Sequence, residues 1–500
     1  MKTTSPKLLL ALGAAALTAL AADPSVDREK TLRFPDEVRR NASFSEVNPD
    51  ADYRHASTAA YEAFRAMKFG VRIHWGLYTM VPQSRESWSF LPLSDAERQR
   101  YIESHRTWNP TGFNAEEWMQ FFDRAGFKTF AITTKHHEGF SLWDTQTRVV
   151  RRPNYIKDPR GPVIEECNVA YSVMETPFKR DIIKELTDAG RKHGQKINLY
   201  FSHTDWYDAD FRPYGRHPLQ YAGSPGIKSL EERQLRPAFL GPEPTAEEKA
   251  RRLARHRAQL KELLTNYGQI DMVCLDIALG GEDWPEVKRT IKELRQLQPD
   301  VMFRNRGIGN YGDYYTPERV VPGDKTASPM PWMVIYPLGT NFSYEADAAK
   351  HKGAKWVVDN LVDSVAKGGN FMVGIGPDGS GRFHPTAIAQ LEEVGAWLKV
   401  NGEGIFNTHA RPGDGWKDGD AVRLTEGDDG RAVYAFVLQR PVGPVALRSV
   451  RAPVGARVTL LGSGQPLSWR PAGEGMAIDF PSSAKPSLAY TLRIETTRRP

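Results

Sequence analysis

Between residues 69 and 376 the chain repeats one pattern. A short apolar run ends in His, Asp, Arg, Asn or Gly, a loop follows, and then an amphipathic helical stretch. The apolar runs fall at 69–76, 129–134, 196–202, 270–276, 301–303, 332–336 and 369–376. The helical stretches between and around them carry their apolar residues on one face. Trp118, Phe121, Phe122 and Ala125 do so after the N-cap Asn114, as do Val357, Leu361 and Val365, and Ile388, Leu391, Val394 and Leu398. A further helix, with Ile182, Ile183, Leu186 and Ala189, is expected to open at Thr176-Pro177, with Pro in its first turn, and to stop at Gly194. Strands alternating with helices over this length specify a parallel sheet, and seven such repeats specify a (β/α)8-like (TIM) barrel whose eighth strand is degenerate or missing.

The pattern stops near Asn407. Short alternating runs then recur at 432–438, 445–450, 457–461, 476–480 and 488–494, separated by Gly, Pro and Asp, which predicts a C-terminal antiparallel β-sandwich. At the other end, Lys2 and Lys7 precede the apolar run 8–20, closed by Ala19-Leu20-Ala21. This reads as a signal peptide, too short for a spanning helix. The expected organisation is therefore 1–21 leader, 22–407 barrel and 408–500 sandwich, in a protein that is secreted or periplasmic and off the membrane once the leader is cleaved.

Losing Lys2 and Lys7 takes the net charge from +6 to +4. Both signs are interspersed along the chain, which excludes a nucleic-acid-binding stripe. The Arg-rich stretch within 247–264 reads as a solvated helix face. Of the two cysteines, Cys274 lies inside an apolar run, where a thiol behaves as a small hydrophobe, so no disulfide is expected.

In a barrel of this kind the C-terminal strand ends converge on the active site. Collected there are His74 and Trp75, His136 and His137, Tyr200, His203 and Asp205, Asp276, Arg306, and Glu318 in the loop after the fifth run. The set holds two candidate catalytic carboxylates, several neutral donors and aromatics, without a nucleophile-elbow serine or a phosphate-binding glycine loop. A metal site is the competing reading of His74, His136, His137 and Asp276. Against it, the first run ends Ile73-His74-Trp75 rather than in a His-x-His pair, and adjacent His136 and His137 are badly placed to hold one ion together.

Several stretches together resemble the α-L-fucosidases of glycoside hydrolase family 29. They are Phe69-Gly70 with Ile73-His74-Trp75-Gly76, Thr134-Lys135-His136-His137-Glu138-Gly139-Phe140, Asn266-Tyr267-Gly268 leading to Asp276, Asn305-Arg306-Gly307, and Tyr315-Thr316-Pro317-Glu318. The resemblance runs over about 58–410 in family order. It implies hydrolysis of α-L-fucosides with retention, with Asp276 as nucleophile and Glu318 as acid/base. It also implies His74, Trp75, Trp88, His136, His137, Tyr200 and Arg306 as substrate-binding residues. The implied partner is a fucosylated oligosaccharide or polysaccharide. Retention requires two carboxyl groups roughly 5–5.5 Å apart, and the acid is expected to carry a raised pKa. No metal or organic cofactor is needed for that chemistry. Four departures bear on the substrate: Cys274 replaces an aromatic two residues before the nucleophile, Ile277-Ala278-Leu279 follows it, Ser87-Trp88 stands where Glu-Trp is common, and Trp332-Met333 where Trp-Glu is usual. They leave open an exo-glycosidase for a related sugar, a galactoside or a sulfated fucose, and a catalytically silent fucose-binding homologue.

Overall fold

The computed structural model describes residues 45–81, 85–212, 216–219, 244–323 and 330–496. The leader expected at 1–21 lies outside these residues. Seven parallel strands form one curled sheet in the order β7-β6-β5-β2-β1-β9-β8. They are β1 (Phe69–Ile73), β2 (Thr129–Lys135), β5 (Lys196–Ser202), β6 (Met272–Asp276), β7 (Met302–Phe303), β8 (Met333–Pro337) and β9 (Asn370–Ile375). Every residue of β1, β2, β6, β8 and β9 is buried, as a parallel sheet covered on both faces requires.

Alternation along each strand separates two cores. Val71, Ile132, Leu199, Val273, Leu275, Val334 and Val373 pack outward against the helices. Ala131, Met272, Met302, Met333, Ile335 and Met372 fill the barrel, and Phe64 of helix α1 (Thr58–Ala66) together with Met67 joins them. The period of two then puts Arg72, Cys274 and Arg304 one step further along the barrel interior, and His74 and Asp276 at its end.

The eighth strand exists as a broken segment. Tyr314, Tyr315 and Glu318 form isolated parallel bridges to Arg304, Trp332 and Ile335, so the stretch 314–318 spans the gap between β7 and β8. Met333 N–H donates to Tyr315 O at 3.1 Å and Ile335 N–H to Pro317 O at 2.9 Å. Pro317 and Pro331 have no N–H to return, which breaks the ladder into single bridges. The segment that closes the barrel is thus the one that carries Glu318.

Two βα loops carry structure of their own, and two expectations are corrected. The first βα loop contains helix α2 (Asp95–Glu103), started by a Ser94–Glu97 capping box. The loop after β2 holds an antiparallel hairpin, β3 (Val149–Asn154) with β4 (Val163–Val169). The helix expected from Thr176-Pro177 begins only at Ile182 as α4 (Ile182–Lys192), because Asp181 caps it by accepting from Lys184 N–H. Finally, the Arg-rich stretch lies on α5 (Ala246–Thr265), and only part of it is solvated: Arg251 is exposed, whereas Arg252 and Arg255 face inward. Arg252 is paired with Asp283, and Arg255 with Asp205 and Asp208, all buried.

Helices α6 (Trp284–Leu297), α7 (Ala354–Ala366) and α8 (Pro385–Asn401) complete the outer layer. Beyond them a six-stranded antiparallel sheet, centred on β12 (Val422–Gly427), β13 (Ala432–Val437) and β18 (Tyr490–Glu495), faces a three-stranded one. Leu424, Val433, Ala435 and Leu492 of the first share a core with Val445, Leu447 and Ile478 of the second. The other face of β13 turns Tyr434 and Phe436 into the core that continues under α8.

Candidate active site

At the C-terminal end of the barrel a cavity of about 350 Å³ is lined by Arg72, His74, Arg85, Glu86, Trp88, His136, Asp276, Glu318, Arg319, Asn341 and Phe342, among others. Asp276 ends β6 with its side chain on the interior face. Its Oδ1 accepts from Arg306 Nη1 at 2.7 Å and lies 3.5 Å from Arg304 Nη1; its Oδ2 accepts from the Tyr200 hydroxyl at 2.7 Å. Glu318 Oε1 accepts from Arg304 Nη2 at 2.7 Å and lies 3.0 Å from Arg306 Nη2. The same two guanidiniums therefore hold both carboxylates, one delivered by a regular strand and one by the broken segment.

Burial alone would raise both acids. For Asp276 the Arg306 and Arg304 charges, with His137 and the Tyr200 hydrogen bond, hold the carboxyl well below the ordinary carboxylate range. For Glu318 burial is again outweighed by Arg306 and Arg304, so it lies below its ordinary value even though the Asp276 charge pushes it up. This corrects the expectation of a raised acid: two shared arginines outweigh burial and the neighbouring carboxylate. The raised acid in the same cavity is Glu86, buried and accepting from the N–H groups of Phe342 (2.6 Å) and Ser343 (3.0 Å).

The imidazoles are neutral donors and acceptors. Burial, followed by the charges of Arg72 and His137 respectively, holds His74 and His136 well below the ordinary imidazole value, and burial takes His137 down to about 4. Nδ1 of His136 shares a hydrogen bond with Ser87 Oγ, and Nδ1 of His137 with Ser202 Oγ, which leaves the Nε2 edges for a ligand. His137 Nε2 is buried, 3.7 Å from Asp276 Oδ2, with no hydrogen-bond partner. His136 stacks on Tyr200 at 5.3 Å, and His74 on Phe342 at 4.9 Å. Trp88 meets His137 edge-on at 4.8 Å and forms one wall.

Both carboxylates sit immediately before a left-handed residue. Ile277 has φ +60° and Arg319 φ +59°. For a β-branched isoleucine this is a strained conformation, and it turns the chain sharply away just after each acid.

The structure thus brings Asp276, Glu318, His74, Trp88, His136, His137, Tyr200 and Arg306 to one place, and Trp75 to another. Trp75 is only 1% exposed, packs against Trp108, Phe113 and Trp118, and donates its indole N–H to Asp378 O at 3.0 Å. The pleat that turns His74 inward turns its neighbour outward, so Trp75 is core. Asp313, just before the broken segment, is a structural acid enclosed by Arg295, Tyr61, His55 and the Phe303 N–H. Sequence reasoning did not single out Arg72, Arg304, Arg319 or Phe342. Arg72 and Arg304 were detectable, since Arg72 stands inside an apolar run and Arg304 directly ends one, each at a position of inward parity.

Known proteins align along most of the chain. A family model described as Alpha-L-fucosidase matches residues 38–403, and one described as Alpha-L-fucosidase C-terminal domain matches 419–495. Human plasma alpha-L-fucosidase is 28% identical over 435 residues, covering 81% of this chain and 82% of that protein. Alpha-L-fucosidase isoenzyme 1 from Paenibacillus thiaminolyticus superposes with a TM-score of 0.70 at 27% identity, covering 88% of this chain and 99% of that one. An alpha-L-fucosidase from Bacteroides thetaiotaomicron, solved as a trapped covalent intermediate with 2-fluoro-fucosyl fluoride, superposes at 0.67 with 24% identity, covering 90% and 98%.

Proposed function

Because the chain belongs to the alpha-L-fucosidase family of glycoside hydrolases, we propose that it releases terminal α-L-fucosyl residues from glycans or polysaccharides with retention, in two displacements. The observation that carries this reading is the pair Asp276 and Glu318, held on Arg304 and Arg306 at the mouth of one cavity. Asp276 is ionised and aimed by Tyr200, as a nucleophile must be. It attacks the anomeric carbon while Glu318 protonates the departing oxygen. Glycosylation then removes the Asp276 charge, and with it the influence that raises Glu318. The acid of the first step is thereby left ionised for the second, in which it takes a proton from the attacking water. Neutral His74, His136 and His137 bind sugar hydroxyls through their free ring edges, and Trp88 and Phe342 supply apolar walls.

The test is hydrolysis of an aryl α-L-fucoside followed by NMR of the first-formed sugar. α-L-Fucose as initial product supports the reading; β-L-fucose, or no turnover by folded protein, overturns it.

One observation favours a second, narrower reading of the substrate. Arg85 and Arg319 line the cavity, and among the described residues neither has a carboxylate at ion-pair distance; Arg319 lies over the Phe342 ring at 4.8 Å. Arg319 also donates to Thr340 O at 2.8 Å, but two guanidiniums without a carboxylate partner suit a sulfated fucoside better than a neutral one. A higher kcat/KM on the sulfated member of a matched pair, lost in Arg319→Gln, would select it.

We also propose that the enzyme works outside the cytoplasm, on the strength of the 1–21 leader pattern. N-terminal sequencing of protein recovered from periplasm or medium tests this: a chain still beginning at Met1 overturns it.

A further inference from the structure

Beneath the two carboxylates lies a second charged layer that the reaction scheme does not use. Cys274 precedes Asp276 by two residues on β6, so both side chains face the barrel interior. Its Sγ is completely buried and accepts from Arg72 Nη1 at 3.1 Å and Arg304 Nη1 at 3.4 Å. Arg72 and Arg304 are themselves buried, at 3% and 1% exposure. Arg304 continues to Glu318 and Asp276. Arg72 has no carboxylate partner among the described residues; it lies over the Tyr200 ring at 4.7 Å, and its Nε is buried without a partner.

Arg72 is left without a counter-ion if Cys274 is a thiol, since it is buried and no carboxylate lies at ion-pair distance among the described residues. An unpaired guanidinium buried at this depth is costly, whereas a thiolate between Arg72 and Arg304 supplies the missing charge. The groups facing the sulfur are Arg72 from β1, Tyr200 from β5, Asp276 from β6, Arg304 just after β7 and Tyr314 from the broken segment.

We propose that Cys274 is a thiolate that serves as a positioning residue for the reaction, resting on the fucosidase reading above: it fixes Arg304 under Glu318 and Asp276, and Arg72 under the tyrosine that orients Asp276. Burial works against ionisation of this thiol, but Arg72 and Arg304 outweigh it and draw the thiol below its ordinary value. The sulfur itself lies below the reacting carbons and forms no bond to sugar.

The chain has two cysteines, which makes the test clean. Cys167 is half-buried and its thiol is pushed up to about 11, so it stays protonated near neutrality. Thiolate absorbance near 240 nm at pH 7 therefore reports Cys274. The expected result is that the wild type shows it, Cys167→Ser keeps it and Cys274→Ser loses it. Losing one negative charge beneath the carboxylates should also move both limbs of the kcat/KM–pH profile to lower pH, by about one unit. Cys274→Asp, which restores an anion, should return them. A wild type without the absorbance overturns the proposal on its own, with no variant needed. So does a folded Cys274→Ser whose limbs do not move while only its Tm falls. Absence of any fucoside turnover in the wild type would instead strike the fucosidase reading, and would leave the spectroscopic result to be judged separately.

Discussion

Tyr200 and Asp276 lie on neighbouring strands and meet through a 2.7 Å hydrogen bond from the phenol to Oδ2. Strand register pairs Tyr200 with Cys274 and Ser202 with Asp276, so the phenol reaches forward by one pleat to the carboxylate. The Arg306 contact is on the other oxygen. Each oxygen of Asp276 is thus aimed by a different element.

Tyr200→Phe should therefore lower kcat/KM on aryl fucosides by about 10- to 100-fold, since a hydrogen bond to a charged group contributes about 1.5–3 kcal/mol. Steady-state kinetics with unchanged Tm would locate the loss in aim rather than in folding. An unchanged kcat/KM would mean that Arg306 alone orients the acid.

The carboxylate roles separate by product. Asp276→Gly should lose about 10⁴-fold or more in turnover and be partly rescued by azide, giving β-fucosyl azide. Glu318→Ala should still form the glycosyl-enzyme from a good aryl leaving group, stall at hydrolysis, and give α-fucosyl azide. Exchanged products would exchange the roles, and Glu86 would be the next residue to test.

The pH profile should differ between substrates. Arg306 and Arg304, against burial, hold Glu318 below its ordinary value, so its protonated fraction in the free enzyme is already falling on the acid side of that value. A natural disaccharide, which needs the proton, should show kcat/KM declining from the acid side toward neutrality. An aryl fucoside with an acidic leaving group should stay flat over the same range. Glu318→Gln should abolish the difference.

Stability should respond to pH in two opposite windows. His137 is lowered from 6.5 to about 4 by burial, so its contribution is complete above 6.5 and is lost as pH falls through 4. Glu138 is raised from 4.5 to about 8, again by burial, so its contribution is complete below 4.5 and is lost as pH rises through 8. Calorimetric Tm between pH 4 and 9 should show both losses, and Glu138→Gln should flatten the alkaline one.

Trp75→Ala should destabilise the fold by about 3–5 kcal/mol and leave KM of the surviving folded protein unchanged. A raised KM with normal Tm would return Trp75 to the sugar site.

Much of this arrangement was legible in the residues. Fully buried parallel strands read as apolar runs, and their polar ends marked the site, so seven strands and the His136-His137 turn were visible from patterning alone. The eighth strand was not, because Pro317 and Pro331 erase the pattern that would announce it. Trp75 was misjudged because adjacency in sequence is opposition in a strand. The lowered Glu318 was out of reach, since it depends on two arginines whose meeting is a fact of barrel closure. Helix α5 misled for a related reason: its arginines look solvated until Asp205, Asp208 and Asp283 are brought against them by the loops.

The left-handed turns at Ile277 and Arg319 carry a consequence for how this enzyme can change. Glycine at either position would relieve the backbone, so selection for heat tolerance alone would drift toward it. The same exchange would free the peptide that aims Asp276 or Glu318. Robustness and aim are therefore in opposition at these two residues, and lineages adapted to warmth would have to find their gains elsewhere, in the outer helices or the β-sandwich.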